Sequence, residues 1–327
     1  MTKVGLISTG GTIAMGARHP FDWVDYGDSG IVHDMEVLLP QFQNLLPGIT
    51  LVSQSFRSLG SVSISWSDWV ELLSTANAMV EKTPDLAGIV VTHGTATLEE
   101  TVFFLHLTWP HACPIILVGA QRPMDTHGSD ALGNMRAALA AACEPALRDL
   151  GAIAVMNSTV FHAPDVTKGA NFALNAFESP VGPIGQVDAA GQVNIVRRPA
   201  AHYRPKFSPV SIPPRVDIMM SYSGSDGCAV EAFRAAGAKA IVVAALPPGR
   251  CASGERAALV KAAKEGVTVI FASRASRDRV PVQDYNVADG ILAAGCLAPH
   301  KARILAMLAL SAEYTAEALQ KALLDAL

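Results

Sequence analysis

Two apolar runs in this chain end in glycine turns that carry threonine, and this repeated pattern constrains the fold more than any other. The first is Lys3-Val4-Gly5-Leu6-Ile7-Ser8-Thr9-Gly10-Gly11-Thr12-Ile13. The second is Gly88-Ile89-Val90-Val91-Thr92-His93-Gly94-Thr95-Ala96-Thr97-Leu98-Glu99-Glu100-Thr101. Each run has the length of a parallel strand buried on both faces. In a doubly wound sheet such strands end at the carboxyl edge, where ligand crevices form. Glycine lets the backbone come close to a ligand, and threonine adds a hydroxyl there. Thr12 and Thr95 are therefore candidate reacting groups.

Further strand-like runs follow at Pro114–Gly119, Ala152–Met156, Val216–Met220, Ala240–Ala245 and Val267–Ala272. Helix-like segments such as Ser67–Val80, Thr97–Leu107, Asp130–Ala142 and Ala229–Ala236 lie between them. This alternation predicts parallel βαβ units. The expected fold is α/β: a larger N-terminal domain with a doubly wound, mostly parallel sheet, and a smaller C-terminal α/β domain. The stretch 197–214 carries five prolines, which exclude a helix or a central strand. It is read as the linker between a catalytic domain, 1–196, and a second domain, 215–327.

Composition narrows the functional classes. Half of the 327 residues are hydrophobic and 17% are charged, the balance of a folded globular chain. The net charge is −4 and basic stretches are missing, which argues against a nucleic-acid partner. No run approaches the ~20 apolar residues of a membrane span, and the first residues lead straight into a strand without a signal-like segment. The expected location is the cytoplasm. Cys113, Cys143, Cys228, Cys251 and Cys296 are odd in number and widely spaced, as suits buried thiols rather than disulfides or a zinc site.

A threonine hydroxyl is a weak nucleophile at neutral pH. It needs a base or a strong hydrogen-bonding partner, together with donors for the oxyanion formed on attack at a carbonyl. The turn Thr9-Gly10-Gly11-Thr12 supplies a hydroxyl and free-standing backbone N–H groups in one short piece. Phosphate-loop spacings are absent from it, so a nucleotide-binding protein ranks last. In the second turn, Thr97-Leu98-Glu99-Glu100 has capping-box spacing, and the helix that follows would aim its positive end at the site. His93 fits either a catalytic base or a structural histidine.

At this point the chain resembles the L-asparaginase family in its bacterial, glutaminase-asparaginase form. The family pattern T-G-G-T-I is present as Thr9–Ile13, and H-G-T-D-T-x-E-E-T is present as His93–Thr101 with one departure. Val118-Gly119-Ala120-Gln121-Arg122-Pro123, Asp165-Val166-Thr167-Lys168 and Pro299-His300-Lys301-Ala302-Arg303 extend the likeness along the whole chain, in order. The resemblance implies an amidohydrolase that converts a side-chain-type carboxamide, L-asparagine or a related small amide, to acid plus ammonia through a threonine acyl-enzyme. It implies Thr12 as nucleophile, Tyr26 on a closing loop as its assistant, and Thr95 with Lys168 as a second hydroxyl–amine pair. It places substrate against Gly11, Ser61, Gly94 and position 96. It also implies a homotetramer built from close dimers, and no metal or organic cofactor.

The recognition set departs from the family. Ala96 stands where the family has an aspartate that grips the substrate ammonium. Val62 replaces a glutamine. Asn286 falls on a glutamate that a neighbouring subunit's C-terminal domain usually supplies, and Arg250 lies where a family asparagine is expected. A buried charge that loses its hydrogen-bonded partner costs about 2–5 kcal/mol. The lost acids therefore favour, as one alternative, an amidase for an amide without a free α-ammonium. A non-catalytic small-molecule binder on the same fold is the other alternative.

Overall fold

The first apolar run becomes β1 (Thr2–Gly10), buried from Val4 to its end. In this computed structural model it lies between two parallel neighbours, β2 (Ile49–Leu59) and β3 (Leu86–Thr92). The structure describes residues 1–199 and 207–326. β4 (Ile115–Val118) and β5 (Ala152–Met156) continue the parallel sheet beyond β3. The chain then reverses: β6 (Thr159–His162) pairs antiparallel with β5. β7 (Thr167–Lys168) and β8 (Phe177–Glu178) form a separate two-stranded hairpin. β9 (Gly185–Val187) and β10 (Val193–Ile195) close the sheet, antiparallel, in the order β10-β9-β6-β5-β4-β3-β1-β2. The parallel, doubly wound reading thus holds for β1–β5, and the far edge is antiparallel.

Among the described residues four α-helices cover this sheet: α1 (Met35–Gln43), α2 (Trp66–Lys82), α3 (Leu98–Thr108) and α4 (Ala131–Cys143). Successive side chains of a strand point to opposite faces. Accordingly Leu6, Val90, Ile116 and Val155 share one core with Phe42 of α1 and Met135 of α4. Their strand neighbours Ile7, Ile89, Val91 and Leu117 are buried too. α3 contacts β4 and β5, and α2 contacts α3. Burying one such aliphatic side chain contributes about 1.5–3 kcal/mol, so both faces anchor the strand ends. α1 starts on an Asp34 carboxylate that accepts the Glu36 and Val37 N–H groups, and it tolerates Pro40 within its length.

The second unit has a four-stranded parallel sheet: β11 (Val216–Met220), β12 (Ala240–Ala245), β13 (Thr268–Ser273) and β14 (Ile291–Ala293), in that order. Its helices are α5 (Cys228–Ala235), α6 (Ser253–Lys264), α7 (Asp284–Ala288), α8 (Pro299–Ser311) and α9 (Ala316–Asp325). The chain divides into compact units at Met1–Ala201 and His202–Leu327. The expected linker, 197–214, falls in part on 200–206, outside the described residues. Among the described residues no helix is long and apolar enough to cross a membrane. The five cysteines are free thiols, but only Cys113 is buried; Cys143 and Cys251 are partly buried and Cys228 and Cys296 exposed, against the expectation of buried thiols.

Candidate active site

The carboxyl ends of β1 and β3 lie side by side, and their two glycine turns touch. Gly11 has φ +80°, a conformation that side chains rarely adopt, and a Cβ there would come within 2.3 Å of the Gly94 nitrogen. A Cβ on Gly94 would in turn lie 2.6 Å from Ser61 Oγ. Glycine at both positions is therefore what lets the turns and Ser61 close on one another. Hydroxyls staple the strands just below: Thr9 Oγ1 donates to the Thr92 carbonyl at 2.7 Å, and Thr92 Oγ1 donates to Ser8 Oγ at 3.0 Å. Ser61 opens a single 3-10 turn, Ser61–Ser63, after β2. The Thr97 hydroxyl donates to the Ser61 carbonyl at 2.9 Å. The capping box expected at Thr97 is not formed, because that hydroxyl makes no cap bond to α3 and holds the Ser61 turn instead.

Two polar pairs project from the joined turns. Thr12 Oγ1 is 2.7 Å from Tyr26 Oη, and Lys168 Nζ is 2.7 Å from Thr95 Oγ1. Both threonines are buried. Tyr26 sits in a short 3-10 turn, Asp25–Asp28, within a long loop. The buried Asp22 carboxylate accepts the Arg18 and Asp25 N–H groups of that loop. The Asp125 carboxylate accepts the Ala17 N–H, and the Arg122 guanidinium lies 3.9 Å over the Trp23 ring. Lys168 is on β7, half-buried. Burial pushes its amine below the ordinary lysine value, and the Glu99 carboxylate at the start of α3 partly opposes this.

His93 is fully buried. Its Nδ1 lies 2.8 Å from the Gly94 carbonyl, which can only accept, so Nδ1 carries the proton. Its Nε2 then accepts from Thr101 Oγ1 at 2.9 Å, and Trp69 Nε1 donates to the same hydroxyl at 2.7 Å. Burial lowers its pKa to about 4, against a smaller opposing effect of the Gly94 carbonyl. Of the two roles open for His93, the structural one fits: a neutral imidazole with both nitrogens engaged braces the second turn from behind.

Ala96 is exposed beside Thr95, and Val62 is exposed beside Ser61. Nearby acids have other duties. Asp125 holds the tyrosine loop, and Asp130 accepts from the Gln121 and Arg122 N–H groups and from Asn134. Asp25 and Asp28 are exposed on the tyrosine loop. Asn286 belongs to the second unit, where it is buried. Its Oδ1 accepts from Arg256 at 2.6 Å and its Nδ2 donates to the Gly249 carbonyl at 3.3 Å. Arg250 is exposed, its guanidinium 4.9 Å from the centre of the Tyr285 ring. Among the described residues no group of three or more His, Cys, Asp or Glu could hold a metal ion.

Residues 1–199 bring together Thr12, Tyr26, Thr95 and Lys168 in their two pairs, and Gly11, Gly94 and Ser61 in one contact. The sequence motif Val118–Pro123 had no assigned part, yet Gln121 and Arg122 within it reach the lysine hairpin and the tyrosine loop. Such side-chain contacts across some fifty or more positions leave no local periodicity to read.

Residues 3–201 match the family described as Asparaginase, N-terminal, and residues 215–323 match the Glutaminase/Asparaginase C-terminal domain. The chain is 31% identical over 326 residues to L-asparaginase 2 of Escherichia coli (strain K12), covering 95% of this chain and 89% of that protein. It is 32% identical to a glutaminase-asparaginase of Pseudomonas fluorescens biotype A, over 98% of this chain and 90% of that one. The crystal structure of a probable cytoplasmic L-asparaginase from Campylobacter jejuni superposes with a TM-score of 0.91 at 29% identity, over 99% of both chains.

Proposed function

The chain belongs to the asparaginase family, and from that premise we propose that Thr12 is the nucleophile with which this asparaginase-type amidohydrolase converts a small carboxamide, L-asparagine or a close relative, to acid and ammonia. Thr12 Oγ1 attacks the amide carbon while its proton leaves through the Tyr26 hydroxyl 2.7 Å away. Backbone N–H groups of the glycine turns hold the oxyanion. As the intermediate collapses, the C–N bond breaks, nitrogen takes up the proton and ammonia departs, leaving an ester on Thr12. A water molecule then attacks the ester carbon. Its proton passes through Thr95 to the Lys168 amine, and the C–O bond to Thr12 breaks as the Tyr26 hydroxyl protonates the Thr12 oxygen. The acid leaves, and Lys168 and Tyr26 regain their starting protonation by proton exchange with water.

The observation that carries this reading is the pairing of each buried threonine hydroxyl with a group able to exchange a proton, on two turns in direct contact. A lysine is a base only when neutral, and burial around Lys168 favours that form. Ser61 takes the substrate carboxylate, and Gly11, Gly94 and Ala96 line the position of its backbone-like end. We extend the proposal to a cytoplasmic homotetramer of close dimers. In that assembly Asn286 meets substrate only by releasing Arg256 or Gly249.

The test is ammonia release from L-asparagine, L-glutamine and N-acylated or deaminated analogues, with Thr12→Ala as control. Turnover that disappears in Thr12→Ala supports the reading, and turnover that survives it removes Thr12 from the mechanism. The ranking of substrates reads position 96 directly. An unmodified amino acid as the best substrate shows that another group grips the ammonium. A deaminated amide as the best shows that Ala96 has released that requirement. Sedimentation velocity checks the assembly, and a monomer removes it.

A further inference from the structure

Lys168 sits on a hairpin whose β8 strand is anchored by buried Phe177 but whose connecting loop faces solvent. The loop 169–176 between β7 and β8 is largely exposed, and its neck is closed by the Gly169 N–H donating to the Ala176 carbonyl at 2.7 Å. From beneath, the Gln121 side chain reaches this loop. Its Nε2 donates to the carbonyls of Asn171 and Ala173, each at 3.1 Å. A carboxamide nitrogen has two hydrogens, and both are spent here. Gln121 is only 8% exposed and is itself held firmly. The Asp130 carboxylate accepts its N–H and that of Arg122. Asn134 ties the same stretch to the Gly119 carbonyl and, through its Oδ1, to the Asn157 N–H. Gln121 thus links a hydrogen-bonded segment at the end of β4 to an exposed loop that carries the amine at its base.

We infer that Gln121 is a positioning residue for Lys168: its carboxamide fixes the β7–β8 loop so that Lys168 Nζ stays at Thr95 Oγ1 and out of water. The inference rests on the role proposed above for Lys168. Two features separate this from a purely structural role. The carbonyls that Gln121 holds belong to exposed residues, so water satisfies them when the side chain is replaced, and the fold survives. The group displaced is an amine that burial makes easier to deprotonate than an ordinary lysine, an effect that Glu99 on α3 opposes. A freed loop hydrates Lys168, restores its ordinary protonation and lengthens its contact with Thr95.

The test is a double-mutant cycle in the full-length protein with Gln121→Met, Lys168→Met and the pair, following ammonia release against pH. Gln121→Met is expected to lower kcat roughly 10- to 100-fold, the size of effect that an ångström-scale misplacement brings, with KM little changed. The acid limb of its kcat/KM profile moves to higher pH, because a hydrated lysine must lose its proton at higher pH to act. In the Lys168→Met background the same substitution adds no further loss. Equal losses in both backgrounds overturn the inference, as does an unchanged kcat with an unmoved acid limb. If Lys168→Met alone keeps wild-type turnover, the role of Lys168 itself falls. If Lys168→Met is crippled and Gln121→Met is not, only Gln121 falls. Should Gln121→Met fail to fold, Gln121→Glu keeps the shape without the donors and is judged by the same readings. Hydrogen exchange over 168–178 supplies the second measurement: faster exchange in that variant supports the inference, and unchanged exchange overturns it.

Discussion

Both units of this protein contain parallel strands whose carboxyl ends gather hydroxyl groups, but the two ends hold them with opposite kinds of partner. At the first, Thr12 pairs with a phenol and Thr95 with an amine. At the second, the hydroxyls of Ser221 and Ser225 both donate to the Glu255 carboxylate, which is fully buried and also accepts the Ala252 N–H. A buried carboxylate that accepts three donors keeps their protons where they are and ties β11 to the start of α6. A phenol or a partly desolvated amine can instead take and return a proton. In the proposed mechanism, hydroxyls at equivalent places in the two sheets thus serve chemistry in one and structure in the other, according to the partner supplied.

The largest effect that would break this contrast is at Thr12. Thr12→Ala is expected to lower ammonia release by about 10⁴-fold or more, as loss of a nucleophile does, with thermal stability unchanged. A survivor with substantial activity would place the chemistry elsewhere. Lys168→Met is expected to cost on the order of 10²–10³-fold, within the range for a general base. In the wild type, kcat/KM should rise with pH as Lys168 loses its proton. Burial moves that rise below the pH at which an exposed lysine titrates, and the rise should vanish in Lys168→Met.

The opposite edge is probed by Glu255→Ala. It should destabilise the protein by about 3 kcal/mol in urea, from two serine hydroxyls and one N–H left short of a partner. The turnover of the folded fraction should stay at the wild-type value. A selective loss of kcat there would erase the distinction between the two edges. The smallest effect is expected for Arg122→Leu, which removes the cation over Trp23. A contact of that kind is worth about 1 kcal/mol, so the tyrosine loop loosens and KM rises several-fold with kcat largely retained.

Much of this arrangement was legible before any coordinates. β5, β11 and β12 occupy the runs read from apolar pattern alone: β5 and β12 are buried along their whole length, and β11 keeps the apolar, β-branched composition of a strand although Ile218 and Met220 are exposed. β2 was not among those runs. It is an edge strand whose residues from Ser53 to Arg57 are mostly exposed, so its polar sequence resembles a loop. α1 runs unbroken through Pro40, a residue that in sequence reads as a helix breaker. Thr12 and Thr95 were visible in their glycine turns, whereas Tyr26 and Lys168 stood out only through family likeness, since each reaches its partner from a separate loop or hairpin. The Thr97 capping pattern misled because the hydroxyl found a better acceptor 36 positions away, at the Ser61 carbonyl. Gln121 stood within a family-like stretch but nothing marked its contact, since a glutamine bonded to the backbone of a distant loop looks like any polar residue after a strand.

The central claim is that the first edge reacts covalently through Thr12. Rapid acid quench during turnover of the best amide substrate, followed by peptide mass spectrometry, tests it most directly. The account predicts an acyl adduct on the peptide containing Thr12, discharged by hydroxylamine and absent from Thr12→Ala. An adduct on the Thr95 peptide instead, or full turnover with no adduct under conditions that trap esters, would contradict it.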